Sequence, residues 1–215
     1  MLDYRLIAPK AGGSHHCLVL HGLGDSHRGW MDVAPMLALP ELGFAFADAP
    51  RAYGPGFSWF DIHADWSVDD GQVRESRAAL AELIAHLLKQ LAIPDDRLFL
   101  MGFSQGCLMA LDTALRWPRR FAGVVGISGF LTMLDEYPAA LGTSAKQQRI
   151  LMTHGTYDGM IPIRFVRKQK DALLALGLAL EWKEYEKEHT LDPTEELEDI
   201  RSFFRARMRD ASRIG

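Results

Sequence analysis

Short apolar runs alternate with longer segments of helical periodicity along the whole chain, and this alternation restricts the fold more than any other feature. Several runs are apolar at nearly every position, which is typical of strands covered on both faces of a parallel sheet. Strands that alternate with helices build right-handed βαβ units around one open sheet. The sequence therefore predicts one α/β domain over residues 1–215, with a mostly parallel central sheet flanked by helices. The predicted strands span residues 4–8, 17–22, 43–49, 97–103, 123–128, 149–155 and 180–185.

The segments between these runs carry the helical signals. Residues 70–91 place apolar side chains on one stripe and charged side chains on the opposite face, which predicts a helix. Further helices are predicted over 105–117 and near 163–176, and the last begins within residues 192–195. In an open parallel sheet, ligands bind at the carboxyl ends of the strands. The loops at those ends are therefore the candidates for functional residues.

Composition and charge exclude several classes of protein. Hydrophobic residues make up 48% of the chain and charged residues 24%, with a formal net charge of −4, which is typical of a globular protein in water. Lys and Arg are not clustered as a nucleic acid or an anionic membrane would require. No apolar stretch approaches the ~20 residues of a membrane span, and the amino terminus lacks the pattern of a secretory signal. We expect a cytoplasmic protein without integral membrane association or a nucleic-acid partner; its oligomeric state stays open, a homodimer included.

The chain has two cysteines, one in a predicted strand and one in a predicted helix. Two thiols cannot form a disulfide framework. We therefore expect Cys17 and Cys107 to be buried free thiols.

A serine lies between two glycines in the sequence GFSQG, directly after the strand predicted at 97–103. That order places Ser104 at a sharp turn between a strand and a helix, which strains its backbone and exposes its hydroxyl above the sheet. Gly102 and Gly106 let the strand and the helix pass close together, and the helix amino terminus offers free N–H groups to a negative charge. The alternative is an ordinary helix N-cap serine, because Gly-x-Ser-x-Gly also arises by chance.

A nucleophilic serine needs a base and an acid. In hydrolases with this turn, both follow the serine along the chain, the acid first and the histidine second. Only two of the eight histidines, His154 and His189, come after Ser104. His154 falls inside a predicted strand, so His189 is the better base. Asp158 precedes His189 and comes directly after the strand at 149–155. The sequence thus predicts a triad of Ser104, Asp158 and His189.

Each partner of the serine also has a simpler interpretation. Asp158 alone is equally well explained as a turn residue whose side chain binds the backbone. His189 beside Glu188 is, taken alone, best explained as a solvated surface histidine. Three such residues, each just beyond the end of a different strand, together favour catalysis.

Two backbone N–H groups are expected to stabilise an oxyanion near the serine. One belongs to Gln105, the residue after the serine. The other belongs to Leu23, in the loop after the strand at 17–22, where Gly22 and Gly24 allow the main chain to bend.

A metal site is the weaker alternative for the histidines near the amino terminus. His15, His16, His21 and His27 lack carboxylate or thiolate partners at ligand spacing. We therefore predict no metal ion.

With these motifs the chain resembles the acyl-protein thioesterase, lysophospholipase and carboxylesterase group of small α/β hydrolases. The resemblance covers nearly the whole chain, and the pairing of GFSQG with HGLGD is more specific than a bare Gly-x-Ser-x-Gly. It implies an α/β-hydrolase fold, a triad of Ser104, Asp158 and His189, an oxyanion hole from Leu23 and Gln105, and no cofactor. The motifs that carry it are LHGLGDSHRGW, SWFDI at 58–62, GFSQG, HGTYDGMIP and the spacing from Tyr185 to His189.

Two positions depart from the pattern of that family. Its members commonly have glycine just before the catalytic histidine, where this chain has Lys187 and Glu188. They commonly have proline after the aspartate, where this chain has Gly159. Neither change removes a catalytic group, and both leave the substrate preference open.

The connection between the strands at 123–128 and 149–155 has about 20 residues, too few for a cap domain, so an open cleft is expected. Residues 53–60, rich in glycine and aromatic side chains, are the candidate for a mobile flap. The predicted apolar walls favour an acyl chain over a polar acid, although each residue alone is better explained as core. They are Leu23, Trp59, Phe60, Phe130, Leu131, Met160 and Ile161.

The expected activity is hydrolysis of an acyl ester or thioester, from a small molecule or a lipid, through an acyl-enzyme intermediate. Lysophospholipase or lipase activity with the same triad is one alternative, although a lipase usually has a lid. A peptidase would need recognition charges that the sequence does not offer. A non-catalytic binding protein on the same fold is another alternative, which predicts the loss of a triad member.

Overall fold

The strands and helices follow the alternation seen in the sequence. The computed structural model of the protein describes residues 1–63 and 67–211. All seven predicted strands and all four predicted helices are present, with ends that shift by at most two residues. The strands are β1 (Tyr4–Ile7), β2 (His15–Leu20), β3 (Leu42–Ala47), β4 (Arg51–Tyr53), β5 (Gly56–Ser58), β6 (Leu98–Phe103), β7 (Gly123–Ile127), β8 (Ile150–Gly155) and β9 (Leu180–Tyr185). The helices are α1 (His27–Trp30), α2 (Val33–Leu37), α3 (Asp70–Leu91), α4 (Gln105–Arg116), α5 (Tyr137–Ala140), α6 (Ile163–Ala175) and α7 (Glu195–Ala211).

The main sheet has seven strands in the order β1-β3-β2-β6-β7-β8-β9. Only β1 pairs antiparallel, with β3, and every other neighbouring pair is parallel. The six parallel strands therefore have their carboxyl ends at one edge of the sheet, where their loops meet. The predicted mostly parallel sheet flanked by helices is confirmed.

A small second sheet was not predicted from the sequence. Strands β4 and β5 form an antiparallel hairpin in which Tyr53 pairs with Gly56. Gly54 in the turn has a φ of 56°, which glycine adopts without strain. The segment 53–60, the candidate flap, thus contains the hairpin turn and β5, and the Trp59 and Phe60 that follow β5 are fully buried. Strands of three residues are too short for periodicity to reveal them.

Helices cover both faces of the main sheet. Along β2, Leu18 and Leu20 pack in the core under α3, α4 and α6, whereas Cys17 and Val19 pack in the core under α2 and α7. The run is apolar at each position because both faces are buried. Cys17 and Cys107 are buried free thiols, as predicted, and burial raises the pKa of both.

The chain between β7 and β8 packs onto α3 and α4. Tyr137 of α5 is fully buried, and its hydroxyl donates to Oδ1 of Asp112 in α4 at 2.8 Å. Arg77 of α3 and Arg116 of α4 donate to the same carboxylate. The connection is therefore fastened to the body of the domain. Within the part of the chain that the structure describes, no helix is both long and apolar enough to cross a membrane.

Helix α4 begins so close to the sheet that two positions have no room for a side chain. A Cβ on Gly102 would lie 2.0 Å from the carbonyl oxygen of Gly106. A Cβ on Gly106 would lie 2.1 Å from the carbonyl oxygen of Leu20 in β2. The two glycines therefore allow the helix to start directly against β2 and β6.

We expect Gly106→Ala to lower the free energy of unfolding by about 2 kcal/mol or more, because the added methyl group must displace the backbone of β2. Gly159→Ala is the matched control, since its added Cβ meets no heavy atom within 4 Å. Urea unfolding followed by circular dichroism measures both variants. A Gly106→Ala variant as stable as the wild type would contradict this packing.

Candidate active site

Ser104 lies at the turn between β6 and α4 in a strained backbone conformation, with φ of 54° and ψ of −115°. Its N–H donates to the carbonyl oxygen of Ile127 at 2.9 Å, and its carbonyl oxygen accepts from the N–H of Cys107 at 3.1 Å. The side chain makes no capping hydrogen bond to α4, so the interpretation as an ordinary N-cap is wrong. Instead, its Oγ lies 3.0 Å from Nε2 of His189.

The predicted base and acid lie beside this serine. Asp158 follows β8 and His189 follows β9, and these parallel strands end at the same edge as β6. The Nδ1 atom of His189 is 2.8 Å from Oδ2 of Asp158. The Asp158 side chain is fully buried, whereas that of His189 is 19% exposed. The structure thus brings the three predicted triad residues into one row, with the imidazole in the middle.

Asp158 is also a turn residue, and this role is compatible with its place beside His189. Its Oδ1 accepts hydrogen bonds from the N–H groups of Met160 (2.9 Å) and Ile161 (2.8 Å). These bonds use one carboxylate oxygen and leave Oδ2 to His189. The turn therefore fixes the direction in which the carboxylate faces the imidazole.

His154, the other histidine after Ser104, lies on the far side of Asp158. Its Nε2–H donates to the carbonyl oxygen of Ile161 at 2.8 Å and lies 3.4 Å from Oδ2 of Asp158. Its Nδ1 is buried without a hydrogen-bond partner. Burial lowers the pKa of His154, and the Ile161 hydrogen bond opposes that shift. The His154 imidazole, which faces Asp158 and bonds to Ile161, thus supports the turn that carries Asp158.

The loops that carry the acid and the base are packed backbone to backbone. The N–H of Thr156 donates to Tyr185 O at 2.8 Å, and that of Tyr157 donates to Lys187 O at 3.1 Å. A Cβ on Gly155 would lie 2.3 Å from the same Lys187 oxygen. The distance from acid to base is therefore set mainly by the main chain.

Leu23 lies in a loop that passes over the serine. A Cβ on Gly22 would be 3.3 Å from Cβ of Ser104, so the loop and the turn are in contact. Gly24 has a φ of 78°, and its N–H donates to Phe57 O of the hairpin at 2.8 Å. The hairpin β4–β5 thus holds the loop that carries the Leu23 amide, a role that the sequence did not indicate.

Gln105 is the first residue of α4, where backbone N–H groups have no partner within the helix. Its side chain is buried and turned away from the cleft. Its Oε1 accepts from the N–H of Trp59 (2.9 Å) and from Ser58 Oγ (3.3 Å), and its Nε2 donates to Phe60 O (2.6 Å). One residue therefore begins α4 beside Ser104 and fastens the segment 58–60 with its side chain.

An apolar cleft of about 270 Å³ opens above the serine. Four of the predicted wall residues line it, namely Leu23, Phe130, Met160 and Ile161. The remaining lining residues are Gly22, Asp25, Trp30, Ile62, Phe103, Ser104, Gln105 and His189.

Three predicted wall residues lie in the interior instead. Trp59 and Phe60 are fully buried, because Gln105 binds their backbone and the indole N–H of Trp59 donates to His21 O at 2.9 Å. Leu131 is buried because the side chain of Gln169 binds both its N–H and its carbonyl oxygen. These tertiary hydrogen bonds leave no signal in the local sequence.

Sequence reasoning missed two aromatic walls of the cleft. The Phe103 ring lies between Trp30 (centroids 5.3 Å apart) and His189 (4.9 Å), so it backs the imidazole. Trp30 occurs in the motif HGLGDSHRGW and Phe103 in the motif GFSQG. Their positions in these motifs are the sequence signal that points to the cleft.

The four histidines of the alternative metal site do not gather. His15 and His16 begin β2, whereas His21 and His27 follow it, about 20 Å along the strand. His27 pairs instead with Asp48, with Nδ1 and Oδ2 2.6 Å apart. Over residues 1–63 and 67–211, no group of three His, Cys, Asp or Glu side chains is arranged to hold a metal ion.

The chain is similar to a known protein family and to named proteins of other organisms. A family model described as phospholipase/carboxylesterase matches residues 3–208. The acyl-protein thioesterase 1 of Schizosaccharomyces pombe is 35% identical over 171 residues, which cover 75% of this chain and 76% of that protein. The acyl-protein thioesterase 1 of Yarrowia lipolytica is 28% identical over 195 residues, which cover 84% of this chain and 86% of that protein.

Solved structures with the same architecture include two hydrolases. The crystal structure of esterase PE8 superposes with a TM-score of 0.87 at 23% identity, covering 95% of this chain and 98% of that one. The structure of Zea mays acyl-protein thioesterase 2 superposes with a TM-score of 0.81 at 24% identity, covering 96% and 99%. At these identities the similarity shows the fold, and the predicted α/β-hydrolase fold is confirmed.

We expect Gln105→Ala to lower the free energy of unfolding by about 2–3 kcal/mol, because it leaves buried backbone groups of segment 58–60 without partners. Gln90→Ala is the control, since the exposed Gln90 side chain accepts one hydrogen bond, from Tyr4 at the surface. Its stability should change by no more than about 0.5 kcal/mol. Chemical denaturation of both variants distinguishes the two, and equal losses would count against the anchoring role.

Proposed function

The chain belongs to the phospholipase/carboxylesterase family, and from this premise we propose that Ser104, His189 and Asp158 form its catalytic triad. The protein is a hydrolase of the carboxylesterase and acyl-protein thioesterase type. The observation that carries the proposal is the position of one imidazole between two partners. Its Nε2 lies 3.0 Å from the hydroxyl of a strained serine, while its Nδ1 lies 2.8 Å from a buried carboxylate.

In the first half of the reaction, Ser104 Oγ attacks the carbonyl carbon of an acyl ester or thioester. His189 Nε2 takes the serine proton as the bond forms. Asp158 accepts the Nδ1–H, which keeps the imidazole in the tautomer with a free Nε2 and stabilises its charged form. The same imidazole then donates its proton to the leaving alcohol or thiol, and an acyl-enzyme remains.

The oxyanion of each tetrahedral intermediate accepts hydrogen bonds from the backbone amides of Leu23 and Gln105. Each such donor contributes about 3 kcal/mol to stabilising the transition state. The Gln105 amide is also at the positive end of the α4 dipole, which favours negative charge. In the second half of the reaction, water attacks the acyl-enzyme with His189 again as the base.

The cleft supports an acyl group as the part of the substrate that the protein recognises. Its walls around the serine are apolar and include Leu23, Phe130 and Met160. Leu23 and Met160 are also partly exposed, at 39% and 56%, so the cleft opens directly to the surface. An open site accepts a bulky leaving group, such as the thiol of a protein cysteine or the glycerophosphoryl part of a lysophospholipid, because the leaving group can stay outside.

We expect Ser104→Ala to lower kcat for p-nitrophenyl butyrate by about 10⁵-fold or more, because the nucleophile is lost. The melting temperature should stay near that of the wild type, since Ser104 makes its structural contacts through the backbone. Ser202→Ala, at an exposed position of α7, is the matched control and should keep full activity. Retention of wild-type hydrolysis by Ser104→Ala would refute the triad.

We expect kcat/KM to rise with acyl length by about fourfold per methylene until the cleft is filled, because each buried CH₂ adds about 0.8 kcal/mol. Matched series of p-nitrophenyl esters and acyl thioesters, together with a lysophospholipid, measure the preference. Phe130→Ala should flatten the dependence, whereas Met36→Ala, exposed on α2, should leave it unchanged. A preference for long thioesters supports a thioesterase, a preference for short esters a carboxylesterase, and no turnover of any substrate would favour a binding protein.

A further inference from the structure

Lys187 does not face solvent. It lies in the segment before the histidine, in which members of the family commonly have glycine. Its residue is 6% exposed, two positions before His189. Its Nζ donates to both carboxylate oxygens of Glu196 (2.6 Å each), to Thr190 O (2.6 Å) and to Ser128 Oγ (3.2 Å). The ammonium group therefore has an acceptor for each of its three protons.

Glu196 completes the buried pair from the first turn of α7. It has no exposed surface, and its Oε2 also accepts the N–H of Asp192 at 2.8 Å. A buried ion pair is costly to desolvate and often contributes little net stability, whereas it can fix one conformation. The pair joins three parts of the fold: the loop after β9, the end of β7 and the start of α7.

The hydrogen bonds of Lys187 join the parts of the loop that precede and follow His189. The Lys187 ammonium group donates to Thr190 O. This hydrogen bond closes the short loop that contains His189. The backbone is pinned there too, since Lys187 N–H donates to Tyr185 O at 2.8 Å and Thr190 N–H donates to Glu188 O at 2.9 Å. The His189 side chain leaves this loop toward Ser104, so the position of the loop sets the position of the imidazole.

We propose that Lys187 and Glu196 are positioning residues that hold the His189 imidazole between Ser104 and Asp158. This inference rests on the proposed function, because it assigns a role to the pair in the same triad. Misplacement of a catalytic group by about 1 Å can lower the rate by about 100-fold. A loop without the pair retains its backbone turns but loses its attachment to α7 and β7.

The charges of the pair also act on the triad. Lys187 is subject to the negative charges of Glu196, Asp158 and Asp192, and its positive charge acts in turn on His154. Burial lowers the pKa of Lys187 and the Glu196 carboxylate opposes that shift. Removal of either partner alone leaves the other as an uncompensated buried charge, which is strongly destabilising.

The decisive variant is Lys187→Met/Glu196→Leu, which removes both charges and folds even if a single variant with one buried charge does not. We expect its kcat for p-nitrophenyl butyrate to fall by about 10-fold or more at little change in KM, whereas a role limited to stability would leave the kcat of the folded variant unchanged. Lys183→Met is the control, since Lys183 also joins β9 to α7, through Asp199, away from the His189 loop. It should keep the wild-type kcat.

The outcomes separate this inference from the proposed function. A wild-type protein whose hydrolysis is absent, or is unaffected by Ser104→Ala, would remove the proposed function. A Ser104-dependent wild type together with a folded double variant of unchanged kcat would overturn only the positioning role. A kcat loss in the double variant that Lys183→Met shares would overturn it as well, because the effect would then follow from weakened packing of α7.

Discussion

The close approach of helix α4 to strands β2 and β6 is the constraint on which the site depends. Two glycines allow the helix to start where side chains would overlap the backbone of neighbouring elements. Ser104, which lies between them, is thereby forced into a strained conformation. Its hydroxyl lies above the sheet, while its backbone N–H and carbonyl oxygen form hydrogen bonds with β7 and α4. The same geometry presents the first amides of α4 to the space over the serine. The packing of α4 against the sheet thus maintains the strained backbone conformation of this one residue.

Parallel pairing then brings the remaining groups to that point without long connections. β6, β7, β8 and β9 are consecutive neighbours, so the loops that follow them meet at one edge. The turn at Asp158 and the loop at His189 bind each other through their backbones, and the hairpin β4–β5 supports the loop that carries Leu23. The functional side chains are flanked mostly by main-chain hydrogen bonds.

Periodicity and chain order sufficed for the fold and for the choice of triad candidates. The seven main strands follow from apolar runs, and the structure confirms that His154 falls within a strand, where its imidazole is buried. The features that were missed depend on tertiary contacts. Trp59, Phe60 and Leu131 are held inside by glutamine side chains distant in sequence, β4 and β5 are too short to show a period, and Lys187 is buried only because Glu196 meets it.

Gln105 has a consequence for how such a protein can change over generations. It lines the cleft beside Ser104, while its side-chain amide secures the segment after the hairpin. Selection for thermal robustness therefore constrains the identity of a residue that borders the cleft. Variation in substrate range is easier to accumulate at Met160 or Phe130, whose side chains border the opening and carry no comparable architectural duty.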